Sequence, residues 1–322
     1  MLPARRPYSG ELATSAALRC CRQFNVSFKR LGAASLGKGG WRPSFLGASP
    51  LAELASLFRL APAELLWNHT SFPYATSMMQ AQYFDNAIAN AYGDARSRIG
   101  LGSAMHNATR GLVWRRYCPL CAAEEYGAYR ESFWHCAHNL PGVWTCATHD
   151  AYLCEAQLLV SGVGALAYAL PHECQGRPLG MGRPPEPVLR VGTLALEWQS
   201  RPRGTGMPLD AKHYRELAIS NKWLSSDRPV NMDQLASAIG AIFPSRYLTS
   251  IGFGPQRQLL HWGALMLRPG VPLPYAPIKH AILSVLFSLR RSTGIALIDH
   301  VPSGPPGTST ALIDRFYAKA AR

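Results

Sequence analysis

Two short motifs constrain this chain more than any other part of its sequence. Cys118 and Cys121 are separated by two residues, and Cys146 and His149 have the same spacing. A turn of this length directs two side chains at one point, and three thiolates with one imidazole suit a closed tetrahedral zinc site. The sequence therefore predicts one structural zinc ion, Zn2+, on these four residues. Iron is the alternative metal that thiolate ligands accept.

Other cysteine and histidine side chains offer alternatives to this assignment. Three candidate ligands lie between the two motifs: His135, Cys136 and His138. The paired motifs are favoured because two matching turns make the least strained site. A second zinc site is predicted from Cys154, His172 and Cys174, although no second C-x2-C pair accompanies them.

Four protein ligands leave no position on the metal for water or substrate, so the predicted site is structural. A zinc hydrolase using His135, His138 and Glu131 would need an open position, and no H-E-x-x-H motif is present. The sequence also lacks a phosphate-binding G-x4-G-K-S/T loop and an acidic cluster suggestive of a transposase. These features predict a protein that is not an enzyme.

Composition predicts a cytoplasmic protein with a polyanionic partner. The 322 residues carry a formal net charge of +14, which favours DNA over a basic surface kept for solubility alone. Eight cysteines in a chain of this length indicate a reducing compartment more than a disulfide framework. No apolar run reaches the roughly 18 residues that a membrane-spanning helix needs.

Hydrophobic periodicity predicts a mainly α fold, with helix-turn-helix modules on both sides of a small zinc-finger module. An N-terminal amphipathic helix precedes a helix starting at Ser49-Pro50, and a second helix through Trp67 follows it closely. A similar pair starts at Asn231, a helix-capping residue, and continues after Pro244. Ordinary helical hairpins are the alternative to both helix-turn-helix assignments.

Changes of composition along the chain predict its organisation. The predicted units are an N-terminal helical domain with a helix-turn-helix (1–112), a zinc-finger module (113–178), a linker (179–207), a C-terminal helical domain with a second helix-turn-helix (208–300) and a mobile tail (301–322). The linker is assigned from Pro, Gly and Arg. Near the second helix pair, basic side chains are predicted to bind nucleic acid: Lys212, Arg215, Lys222, Arg228, Arg246 and Arg257.

Around the predicted metal ligands the chain resembles the TniQ/TnsD target-selection proteins of bacterial transposons. The residues that carry the resemblance are Tyr117-Cys118-Pro119-Leu120-Cys121, Phe133-Trp134-His135, Asn139-Leu140-Pro141-Gly142-Val143, Cys146-x2-His149 and Leu153. Arg6-Pro7, followed by Gly10-Glu11-Leu12, is similar to the opening motif of that family. The chain is shorter than typical TnsD-type proteins.

The resemblance implies a non-enzymatic adaptor with helix-turn-helix modules flanking zinc fingers. Such a protein binds target DNA and recruits an AAA+ ATPase that regulates the transposase. The alternative is a dimeric adaptor that docks on a Cascade-type CRISPR effector with its guide RNA and has little DNA specificity of its own. The expected partners are therefore DNA, the AAA+ regulator, a second copy of the chain or the guide-RNA complex.

Overall fold

The computed structural model of the protein describes most of the chain in eight segments. They are residues 4–31, 51–92, 112–160, 168–203, 209–224, 230–253, 262–268 and 276–289. The predicted tail at 301–322 and the predicted DNA contacts Arg228 and Arg257 lie outside these segments.

Helices account for most of the described structure. In the N-terminal part they are α1 (Ala13–Gln23), α2 (Leu51–Phe58), α3 (Pro62–Asn68), α4 (Phe72–Ala75) and α5 (Ala81–Tyr92). The central part contains β1 (Trp114–Tyr117), α6 (Pro119–Tyr129), β2 (Cys154–Leu159) and β3 (Arg177–Pro178), with 3-10 turns at Ala137–Asn139 and Pro171–Glu173. The C-terminal helices are α7 (Glu186–Gln199), α8 (Ala211–Ser220), α9 (Met232–Ile242), α10 (Ser245–Ser250), α11 (Trp262–Leu265) and α12 (Pro277–Ser288).

The prediction of a mainly helical fold is confirmed, and the structure adds a small sheet that sequence analysis did not predict. The three strands are antiparallel in the order β1-β2-β3. Tyr117 pairs with Cys154, which pairs on its other side with Pro178. The sheet therefore holds the start of α6 close to β2 and β3, which follow Cys146 and His149 in the chain. Among the described helices, none has the length and apolar character of a membrane span.

Both predicted helix pairs are present as helices. Three residues separate α2 from α3, and two separate α9 from α10. The predicted cap is confirmed, because Asn231 Oδ1 accepts hydrogen bonds from the backbone N–H groups of Asp233 at 3.0 Å and Gln234 at 3.1 Å. These bonds satisfy amide groups that have no partner within the first turn of a helix.

The region predicted as a linker, 179–207, differs in the structure because it contains α7. Val188, Val191, Ala195 and Trp198 are buried along one face of this helix. Their spacing of three and four residues is that of a helical stripe, and Pro187 stands in the first turn, where proline is favoured. The density of proline, glycine and arginine before residue 190 concealed this pattern.

The turn formed by residues 139–143 receives hydrogen bonds from three separate parts of the fold. Tyr74 of α4 donates its hydroxyl to Pro141 O at 3.3 Å, and Tyr247 of α10 donates to Gly142 O at 3.1 Å. Arg116 of β1 donates to Val143 O at 3.3 Å. All three donors are buried, so the turn joins the N-terminal, central and C-terminal elements.

Gly142 cannot be replaced without strain, because its φ of +88° lies in the left-handed region and a Cβ would lie 2.6 Å from Ile278 Cδ1 and 2.9 Å from Val191 Cγ1. We expect Gly142→Ala to lower the free energy of unfolding by about 2–4 kcal/mol. Chemical denaturation measures the change. The matched control is Gly127→Ala on α6, where a Cβ meets no atom within 4 Å. The control should be neutral or stabilising by up to about 1 kcal/mol.

Candidate metal centre

The four predicted ligands converge in the structure. Their ligand atoms all lie within 4.8 Å of one another. Cys121 Sγ is 3.6 Å from Cys146 Sγ and 3.3 Å from His149 Nδ1, which is itself 3.6 Å from Cys118 Sγ. A tetrahedral ion with bonds of about 2.3 Å to sulfur and about 2.1 Å to nitrogen separates these atoms by about 3.6–3.8 Å. The spacing therefore suits a metal such as zinc.

Local backbone structure explains how each motif directs its two side chains. Cys118 follows β1 and is the N-cap of α6, with Pro119 at the first helical position and Cys121 on the buried side of the first turn. In the second motif, Cys146 N donates to Ala151 O at 2.8 Å and Cys146 O accepts from Asp150 N at 2.9 Å. This closes a tight turn that places His149 beside the three sulfurs.

Hydrogen bonding within the cluster shifts the pKa values of two of its thiols in opposite directions. Bonds from the thiols of Cys118 and Cys121 lower the pKa of Cys146 well below its ordinary value, and the imidazole of His138 adds to the effect. The donating thiol of Cys121 shows the opposite shift, because its bonds to Cys118 and Cys146 raise its pKa. Metal ions bind the thiolate form, so a bound cation would displace the thiol protons of the cluster.

One side chain outside the cluster holds its histidine in place. Glu124 Oε1 lies 3.0 Å from His149 Nε2, so the carboxylate leaves Nδ1 directed at the sulfurs. This hydrogen bond raises the pKa of His149. A carboxylate on the outer nitrogen of a ligand histidine is a recurrent feature of zinc sites. Sequence analysis missed Glu124, although its position one helical turn after Cys121 was a signal.

The alternative ligands between the motifs do not join the cluster. His138 is 5% exposed and stays outside the group of four, with its ring tilted against that of His135 at a centroid distance of 4.5 Å. His135 Nε2 pairs with Glu125 Oε1 at 2.5 Å. Cys136 is buried, 3.9 Å from Asn68 O. The assignment to the paired motifs agrees with this geometry.

The residues predicted to form a second metal site use their side chains elsewhere. His172 Nδ1 lies 2.8 Å from Ser132 Oγ, and Cys174 Sγ donates to Leu170 O at 3.3 Å. Cys154 is buried in β2. Within the segments that the structure describes, the converging group of three or more potential ligands is the Cys118, Cys121, Cys146 and His149 cluster. The structure does not bring the other three together.

Comparison with known proteins identifies the region that contains the cluster. The TniQ family model matches residues 3–153. This part of the chain is a TniQ domain. The chain is also 30% identical over 159 residues to the transposon Tn7 transposition protein TnsD of Escherichia coli, across 45% of this chain and 30% of the relative. The chain thus spans about a third of that relative's length, and its own function is a separate question.

In the TniQ domain, the N-terminal motif packs directly on the segment between the metal motifs. Leu12 N donates to Trp134 O at 2.8 Å, and Cys136 N donates to Gly10 O at 2.8 Å. The Trp134 side chain is fully buried. These contacts explain why the two parts of the resemblance occur in one domain, since each supplies backbone partners for the other.

A buried ion pair in the TniQ domain was not predicted. Glu11 is fully buried and accepts hydrogen bonds from Ser15 Oγ and from Nε and Nη2 of Arg19, each at 2.8 Å. Arg19 Nη1 also contacts Glu131 Oε1 at 2.6 Å. These carboxylates raise the pKa of the Arg19 guanidinium against the opposing effect of burial, which is the largest single influence. The acidic residue of the opening motif is the sequence signal for this pair.

The predicted DNA contacts that the structure describes lie on α8, after it and on α10. Lys212 Nζ is 3.8 Å from Glu216 Oε1 in an exposed pair, Arg215 is half-buried and Lys222 is exposed. Arg246 donates to Pro178 O at 3.1 Å and lies 6.0 Å above the Trp144 ring. Arg246 therefore also fastens α10 to the central sheet.

We expect Cys118→Ser to lose bound metal and to unfold at lower denaturant concentration, because the metal contributes directly to folding. Metal content by elemental analysis measures the first effect, with one ion per chain expected for the unchanged protein. Cys174→Ser is the matched control, since Cys174 lies outside the cluster. A second ion that is lost in this control would restore the prediction of a second site.

We also expect Glu124→Gln to weaken metal binding by about 10–100-fold without abolishing it, because the amide holds the imidazole less strongly than the carboxylate does. Competition with a chromophoric chelator measures the affinity. Glu197→Gln, an exposed change on α7, is the control. Equal affinities in the two variants would show that Glu124 does not orient His149.

Proposed function

We propose that this chain is a target-site selection protein for DNA transposition, which binds target DNA and recruits an AAA+ transposition regulator. The observation that carries the proposal is the TniQ domain at residues 3–153, supported by the similarity to the Tn7 transposition protein TnsD. The role requires two binding surfaces and no catalytic centre. A closed four-ligand metal cluster is consistent with that requirement, because it leaves no position for a substrate.

In this proposal, Zn2+ is bound by Cys118, Cys121, Cys146 and His149 and serves a structural role. The ion would replace the thiol protons and link the start of α6 to the second motif. Glu124 would hold the imidazole of His149 in place. The 139–143 turn, which lies between the two motifs, would then be fixed where α4 and α10 bind it.

The proposed DNA surface comprises the α9–α10 pair and the basic side chains near it. On α10, Ser245, Arg246 and Thr249 are exposed, while Tyr247 and Leu248 are buried in the core. A helix-turn-helix that contacts DNA needs exposed polar residues on a helix whose opposite face packs on the core, and α10 has both features. The net charge of +14 supplies the long-range attraction to phosphate.

The test is to select bound sequences from a pool of random duplexes with the full chain, at physiological salt and with competitor DNA. Target selection through DNA predicts enrichment of one sequence. Failure to enrich any sequence would contradict direct target recognition. That result would favour the adaptor that docks on a guide-RNA effector complex.

For an enriched duplex, we expect Lys212→Ala and Lys222→Asn each to reduce the slope of log affinity against log salt by about one. Asparagine is chosen at position 222 because the residue there has a φ of +64°, which asparagine tolerates. Lys29→Ala, an exposed change in the N-terminal part, is the control. Unchanged slopes would remove these two lysines from the DNA surface.

A further inference from the structure

The loop at residues 176–185 joins the central sheet to α7 and has an unusual sequence. It contains Gly-Arg-Pro twice, at 176–178 and at 182–184, with Leu-Gly-Met between the two copies. Composition alone suggested only a linker. The structure shows a fixed loop with one apolar side chain at its tip.

Contacts on both sides hold the base of this loop. Leu179 is 1% exposed, and its N–H donates to Leu153 O at 2.9 Å. Arg246 of α10 donates to Pro178 O at 3.1 Å, and Pro184 is buried. At Gly180 a Cβ would lie 2.4 Å from the ring of Tyr152, so the backbone is in close contact with that ring. The base of the loop is therefore held against the sheet and α10.

The tip between these contacts is exposed. Met181 is 92% exposed, whereas the next most exposed large hydrophobic side chain in the described segments, Val113, is 52% exposed. A single exposed apolar side chain is common on proteins and carries no inference alone. Here it lies between two glycines, and the φ of +72° at Gly182 turns the chain sharply beyond it.

Two exposed arginines flank the tip. Among the described residues, the side chains of Arg177 and Arg183 have no hydrogen-bond or carboxylate partner. The acidic residue that pairs with Arg177 in the sheet register, Glu155, is 3.4 Å from Arg116. Two arginines without acidic partners on a protein of net charge +14 favour a polyanion over a protein surface.

We infer that the 176–185 loop enters the minor groove of DNA, with Arg177 and Arg183 in the groove and Met181 as a wedge against a base step. The narrow minor groove has an enhanced negative potential that attracts arginine. Minor-groove proteins insert apolar side chains, methionine among them, between base pairs and bend the duplex. The inference rests on the proposed DNA binding and adds a contact separate from α10.

The test uses the full chain and three duplexes of equal length, with a central block of A·T, G·C or inosine·cytosine pairs. Inosine lacks the minor-groove amino group of guanine but keeps its major-groove acceptors, so it separates the two grooves. We expect the inosine duplex to bind like the A·T duplex and more tightly than the G·C duplex. A 2-aminopurine at a central pyrimidine–purine step should become brighter on binding, because wedge insertion unstacks it.

Variants of the loop assign these effects to individual residues. We expect Met181→Ala to lose the 2-aminopurine signal, and Arg177→Ala and Arg183→Ala each to reduce the salt slope by about one. Ile219→Ala and Arg190→Ala, both exposed changes outside the loop, are the matched controls. Circular dichroism and metal content verify that every variant is folded.

The outcomes separate this inference from the proposed function. If the unchanged protein binds duplexes while the loop variants behave like the controls, the loop does not contact DNA and the inference alone is overturned. Preference for G·C over inosine·cytosine would overturn it as well. If the unchanged protein binds none of the duplexes even at low salt, direct DNA binding itself fails.

Discussion

The four potential metal ligands lie at the two ends of residues 118–149 and bring these ends together. The described structure has two hydrophobic cores, one N-terminal and one C-terminal, and each includes side chains from this segment. The N-terminal core includes Ala122, the fully buried Trp134 and Cys136 from this segment. The C-terminal core includes Val143 and Trp144, together with three of the ligands themselves. A metal ion at this point would fix a loop whose two sides support different halves of the protein. Its stabilising effect would therefore extend well beyond the module that binds it.

Polar contacts at the edges of this segment specify how the halves are joined. On one side, the Glu11–Arg19 pair lies beneath the backbone bonds that join the N-terminal motif to Trp134. On the other side, Tyr247 and the buried Arg116 donate to carbonyl groups of the 139–143 turn. Burial lowers the pKa of Arg116, while Glu155 opposes that effect. Buried polar groups are costly when they lack partners, so these bonds favour one arrangement over alternatives of similar hydrophobic content.

The arrangement has a consequence for the proposed DNA surface. Arg246 connects α10 to β3, and the same strand leads into the loop that carries Met181. In the proposed complex, β3 would thus hold both α10, in the major groove, and the 176–185 loop, in the minor groove. In this proposal the four potential metal ligands would contribute to DNA binding only by supporting the fold.

The sequence by itself determined the two pairs of potential metal ligands, because the spacing of each pair in a tight turn is a local property. It also determined the helical character, the Asn231 cap and membership of residues 3–153 in the TniQ family. Only the tertiary structure decided the rest. It placed Glu124 behind His149, paired Glu11 with Arg19, excluded His138 from the cluster and buried α7 in a region whose composition suggested a linker. Each of these depends on which distant segments pack together, and neither periodicity nor spacing encodes that.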